Sequence, residues 1–179
     1  MQPAPVSFRY PILIGKLTHP DRSVSTMTDY TEKPQGWRDL PPEKLAEFMN
    51  SKSDGYLPEL LGFTLVSVSK ERILARMEIT KHHLAPNDYL HAASVITLAD
   101  TTCGYATIIN LPEGAGGFTT IELKTNFLGT ARDGVIHCEG TPAHIGHRTQ
   151  VWDARVWDEK SGKDIALFRC TQMILPKQQ

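Results

Sequence analysis

An aspartate stands alone in the middle of an apolar stretch. Residues His91 to Ile109 read HAASVITLADTTCGYATII, and Asp100 is the one side chain among them that is reliably ionised at neutral pH. A carboxylate carried into a protein interior is costly unless it is paired or used. Used, it takes a proton from water or attacks an electrophile itself, and burial raises its pKa and makes it a stronger base than a solvated aspartate. Residue type alone does not choose between base and nucleophile. Other reactive side chains give weaker signals. Cys103, Cys138 and Cys170 are odd in number, widely spaced and outside any CxxC arrangement, which fits reduced, buried thiols in a cytoplasm better than a disulfide framework. His82 and His83 lie close to His91, yet no acidic or sulfur side chain follows at ligand spacing, so neither a metal nor another cofactor is expected.

The element that carries Asp100 must be long. Its β-branched content leans toward strand, but strands run to only about 4 to 8 residues, so length decides for a helix over His91 to Ile109. Ser94, Thr97, Thr101 and Thr102 interrupt the apolar run around the central acid, which is a poor match to a membrane span of about 20 predominantly apolar residues. A helix this apolar belongs inside a protein and needs cover on most sides. Gly104 costs roughly 1 kcal/mol relative to alanine there, which predicts a closely packed neighbour.

The flanking segments supply the cover. EKLAEFMN, after Pro41 and Pro42, places Leu45, Phe48 and Met49 at helical spacing and predicts a short amphipathic helix over 41–50. Gly62 to Ser69 and Arg72 to Thr80 read as a hairpin. Phe118 to Leu128, Gly134 to His147, Arg148 to Asp158 and Lys163 to Leu175 read as four long strands after the turn cluster LPEGAGG. In the third of these, Gln150, Trp152, Ala154 and Val156 share one face, opposite Val151, Asp153, Arg155 and Trp157. Two strands, one long helix and four strands with short connections predict an α+β fold, a curved and largely antiparallel sheet wrapped around a central helix.

A chain of 179 residues fits one domain of ordinary size, assigned here to 41–179. Residues 1–40, with Pro3, Pro5, Pro11, Pro20 and Pro34, read as a loosely ordered extension, within which Met27 is an alternative start. A net charge of −1 offers no broad electrostatic footprint for nucleic acid or an anionic membrane.

LHAASVITLADTTCGYA, followed by GFTTIELKTNFL and then HCEGTPAHIGHRTQVWDARVWDEKSGKDIALFRCTQMIL, resembles the PaaI-type acyl-CoA thioesterases of the hotdog superfamily over roughly residues 56–175. The resemblance implies a hotdog fold dimerising through the sheet edge, hydrolysis of acyl-CoA thioesters to free acid and coenzyme A, and a cytoplasmic homodimer or dimer of dimers. It aligns His91 with the family histidine at the helix start, Asp100 with the catalytic acid and Thr120 with the hydroxyl on the following strand, with Thr119 beside it. Two positions depart from the pattern. Ala92 and Ala93 replace a glycine pair, and Ala85 stands where an asparagine six residues before the histidine is usual, leaving Asn87 to supply that role from a shifted loop. Gly146, His147 and Arg148, with His144, resemble the family's Gly-Arg segment and imply contacts to coenzyme A, to which Lys124 or Arg132 adds a further cation.

Nine helical residues separate His91 from Asp100, about 900° of rotation and about 13.5 Å of rise. They cannot meet within one chain, so a reaction using both requires a site shared by two subunits. The amides of Ala92 and Ala93, at the positive end of the helix and without helical partners, are the expected donors to a thioester carbonyl. The expected substrate carries a medium-chain or aromatic acyl group. Two other readings stay open: a hotdog hydratase or dehydratase, and an acyl-CoA binding or sensing module without turnover.

Overall fold

The structure, a computed structural model, describes residues 36–177. Met27 and most of the expected extension fall outside them. Residues 37–39 form a single 3-10 turn, and the Trp37 ring lies 5.8 Å from Phe48. Helix α1 (Pro42–Asn50) starts on a proline, which is tolerated because an amide there has no helical partner. It buries Leu45, Ala46 and Met49 and packs against β1 (Phe63–Val68). Helix α2 (Leu57–Leu60), for which no element is expected from the sequence, is one turn with no buried residue.

β1 pairs with β2 (Ile73–Glu78) as the expected hairpin. Then α3 (Ala92–Ile109) carries the chain across the sheet to its far edge, where β3 (Ala115–Phe127) lies. β3 begins three residues earlier than expected, taking in half of the glycine-rich turn cluster. β4 (Val135–Ile145), β5 (Thr149–Asp158) and β6 (Asp164–Pro176) fill the space between, giving the order β1-β2-β4-β5-β6-β3 with every neighbour antiparallel. All six strands touch α3. This is the expected curved sheet on a central helix.

Alternation along the strands decides what faces the helix. Gln150, Trp152, Ala154 and Val156 of β5 are buried, as the pattern predicts, while Arg155 on the reverse face is exposed and paired with Asp164 at 2.6 Å. A second outer pair, Arg169 with Asp153, links β6 to β5 at 2.5 Å. Full burial of side chains such as Trp152 and Leu98 is worth roughly 1.5–3 kcal/mol each and holds the helix on the sheet. Gly140 lets α3 and β2 pack tightly on β4: a Cβ there would stand 2.8 Å from Ile73 Cγ2 and 3.3 Å from Thr102 Cγ2.

The cover over α3 is incomplete. Ala93, Thr97, Asp100, Thr101, Gly104 and Ile108 recur at three- and four-residue intervals and stay half-buried or exposed. They form one stripe, and it looks toward the β3 edge, where Phe118 fills the space that Gly104 leaves: a Cβ on Gly104 would lie 3.3 Å from Phe118 Cζ. By length and composition α3 passes for a membrane span, but ten of its eighteen residues are buried in this core.

Candidate active site

Asp100 sits at the middle of the uncovered stripe. Thr120 Oγ1 donates to its Oδ1 at 3.4 Å, a long bond, and among the described residues no cation pairs with it. Half-burial in a site without positive charge pushes the carboxyl above its ordinary pKa, and the Thr120 hydroxyl opposes the shift only in part. Oδ2 stays free of protein donors. Thr120 reaches the carboxylate because α3 runs beside the edge strand and because β3 and β6 shift register between Thr120 and Glu122, a bulge that turns the chain after the threonine. Thr119, on the opposite face of β3, is exposed and points away from Asp100.

The start of α3 is built by two histidines. His91 is the N-cap, and its Nδ1 accepts from Ala93 N at 3.0 Å, so Nε2 carries the proton when the ring is neutral. The Ala93 amide is thereby bonded to His91. Ala92 keeps an N–H with no partner among the described residues, at the positive end of an 18-residue helix. His83 is buried and fixes the whole entry. Its Nδ1 accepts from Thr80 N at 2.9 Å, its Nε2 bonds Leu61 O at 3.0 Å, and its carbonyl receives the His91 amide and the Ser94 hydroxyl. The sequence reading weighed His83 only as a metal ligand; the Thr80-x-x-His83 spacing of a capping box is the signal that identifies its role.

Asn87 lies in the loop that leads to the α3 start. It lies on an exposed turn closed by Asp88 N to Ala85 O, and its Oδ1 accepts from Tyr89 N at 3.3 Å. Asp88 follows with φ of 60°, the conformation that lets so tight a loop return to Leu90. Gly146, His147 and Arg148 sit farther off, on the β4–β5 hairpin. A Cβ on Gly146 would be 2.9 Å from Thr149 O, so only glycine fits that turn. His147 and Arg148 line an open cavity of about 410 Å³ between this hairpin, the β3 start and the β6 end, with Glu113, Met173 and Leu175.

One chain therefore brings Asp100 and Thr120 together and leaves the helix-start group and the His147–Arg148 cavity as separate sites. An unbroken α3 keeps His91 and Asp100 about 13.5 Å apart along its axis and on opposite sides.

Comparison with known proteins identifies the family and the fold. Residues 87–165, which span α3 to the start of β6, match the model of the thioesterase superfamily. A 1,4-dihydroxy-2-naphthoyl-CoA hydrolase of Listeria monocytogenes is 30% identical over 125 residues, covering 69% of this chain and 98% of that protein. A thioesterase crystal structure from Pseudomonas aeruginosa superposes with a TM-score of 0.70 at 24% identity, covering 73% of this chain and 94% of the other. The PaaI protein of Escherichia coli superposes with a TM-score of 0.65 at 21% identity, covering 74% and 93%. The chain belongs to the thioesterase superfamily and is a thioester hydrolase with the hotdog fold.

Proposed function

We propose that the protein hydrolyses acyl-CoA thioesters with Asp100 as general base, at a site completed by the α3 start of a second subunit. The observation that carries the reading is the state of Asp100: half-buried, unpaired by any cation and held at one oxygen by Thr120. A carboxylate so placed has a free Oδ2 for a water and a raised proton affinity with which to activate it. Its proton leaves for Asp100 as the water oxygen bonds to the thioester carbon. The carbonyl oxygen, now negative, takes the Ala92 N–H of the partner subunit. Collapse breaks the C–S bond, and the departing thiolate recovers the proton from Asp100. Both products, acid and free thiol, are thereby accounted for.

Edge strand β3 supports the two-subunit site. Among the described residues no strand lies beside its outer edge, and Ile121, Leu123, Phe127 and Leu128 stand exposed along it. A homodimer formed there places one helix stripe against its symmetry mate, start to middle. We assign coenzyme A to the cavity lined by His147 and Arg148, next to Gly146 in the hairpin; the Arg148 guanidinium suits a phosphate. The resemblance to a hydrolase of an aromatic acyl-CoA supports an aryl or medium-chain acyl group.

A second reading, acyl-CoA binding without turnover, draws support from the internal bond of the Ala93 amide, which leaves one donor fewer to polarise a carbonyl. One assay separates the two. Thiol release from an acyl-CoA panel is expected for the purified protein, and Asp100→Ala lowers kcat by at least about 100-fold. Binding with no thiol released identifies the sensor.

A further inference from the structure

Gln172 of β6 is fully buried, yet its side-chain oxygen has no hydrogen-bond partner. The amide nitrogen spends itself on a weak acceptor, Cys170 Sγ, at 3.2 Å. Leaving a buried amide carbonyl unpaired is unfavourable, and such a group in a native fold needs a donor in some state of the molecule. The sheet register sets two side chains opposite Gln172: Gln150 of β5, whose amide is already bonded to Asn110 O and Trp152 Nε1, and a residue of β3. Gln172 is directly opposite Thr120 on β3. Cross-strand partners share one sheet face, with Cβ atoms about 4.5–5.5 Å apart. That face looks onto α3, and Thr120 spends its single hydroxyl proton on Asp100 through a bond of 3.4 Å.

We propose that Gln172 is a positioning residue for hydrolysis: its carbonyl accepts the Thr120 hydroxyl once Asp100 has taken a proton from water. In the resting state Thr120 donates to the carboxylate. After proton capture the Asp100 carboxylic acid becomes the donor, Thr120 Oγ1 accepts from it, and the threonine O–H rotates onto Gln172 Oε1. No proton leaves Thr120, so the only transfer is from water to Asp100. Gln172 thus stabilises the protonated acid and makes Asp100 a better base. The inference rests on the hydrolytic reading given above.

No other charge is poised to produce the same effect. The rest of α3 holds no charged side chain; on the inner strand faces Asp158 ends β5 opposite Ile136 and is held by Ser161, whose bonds keep its carboxyl below the ordinary value, and Glu59 of α2 is exposed and bonded to Gly55 N. Titratable neighbours are the buried thiols Cys103, Cys138 and Cys170, with Tyr105 bonded to Ser53. A hydrogen bond with Cys170, followed by burial, pushes Cys103 well above its ordinary value, and burial pushes Cys138 up to about 12, so neither titrates where Asp100 does.

The test has two arms. In the pH profile of kcat, Gln172→Met is expected to move the acid limb to lower pH by about half a unit, what one neutral hydrogen bond produces, with KM unchanged. An unmoved limb beside a lowered melting temperature means packing alone and overturns the proposal. In the unsubstituted protein, the Gln172 side-chain amide resonance is expected to titrate with the Asp100 midpoint, and Thr120→Val to abolish that response. A resonance indifferent to Asp100, or one that still follows it without Thr120, overturns the relay. This second arm needs neither turnover nor a folded Gln172 variant. Failure of the relay while Asp100→Ala is inactive leaves the hydrolytic reading standing.

Discussion

Two atoms carry the proposed chemistry at the residue scale, and each has a substitution that removes little else. For the Ala92 amide the change is Ala92→Pro. Proline at the first helical position is tolerated, and His91, with φ of −69° and ψ of 137°, already has the extended backbone that a following proline requires. Helix and fold are expected to survive while kcat falls about 10²–10³-fold, the cost of one oxyanion donor. Circular dichroism with steady-state kinetics checks both halves. For Asp100 the sign follows from its raised pKa. The folded state favours the protonated acid, so stability falls as pH rises from the unfolded value of 3.8 through the folded value, and stays lower above it. Asp100→Asn is expected to raise the melting temperature at neutral pH and to lose that advantage in acid below 3.8, as thermal melts at the two pH values will show. Activity, which needs the carboxylate, is expected to fade with an acid limb above 3.8. Asp100 was legible in the sequence because one charge in an apolar helix is conspicuous. Gln172 was not, since glutamine in an alternating strand carries no sign of its cross-strand partner. The bond from His91 to Ala93 was equally hidden, because an N-cap is decided by backbone geometry.

Helix and sheet meet most closely where small residues allow it. Gly140 has no room for a methyl group between Ile73 and Thr102, both of them fully buried. Gly140→Ala is expected to destabilise the fold by about 1–3 kcal/mol, the ordinary cost of overpacking, measured by denaturant unfolding. Thr102 cannot retreat easily, since its hydroxyl is tied to Leu98 O at 2.7 Å. Elements of this size were readable from periodicity: α1, α3, the β1–β2 hairpin and the four long strands lie within a few residues of their expected bounds. Gly104 likewise meets the close neighbour its cost predicted, in Phe118. The misses are short or register-dependent. Four residues of α2 are too few for a helical period, and the bulge after Thr120 exists only relative to β6. A strand pattern also says nothing about order, and α3 crossing to the far edge is what puts β3 beside Asp100.

For the whole molecule, the central claim is that one chain holds two halves of different sites. The straight 18-residue helix separates its own start from its own carboxylate, and the apolar β3 edge offers the surface on which a second copy supplies the missing half. Mixing two inactive variants tests this most directly. Asp100→Ala lacks the base and Ala92→Pro lacks the donor, but a mixed dimer has one site in which both are intact. Co-refolded in equal amounts, the two variants are expected to recover about a quarter of the unsubstituted activity, since half of randomly paired dimers are mixed and each has one working site of two. Thiol release from an acyl-CoA by that mixture supports the shared site. A mixture that forms dimers and stays as inactive as its components contradicts it.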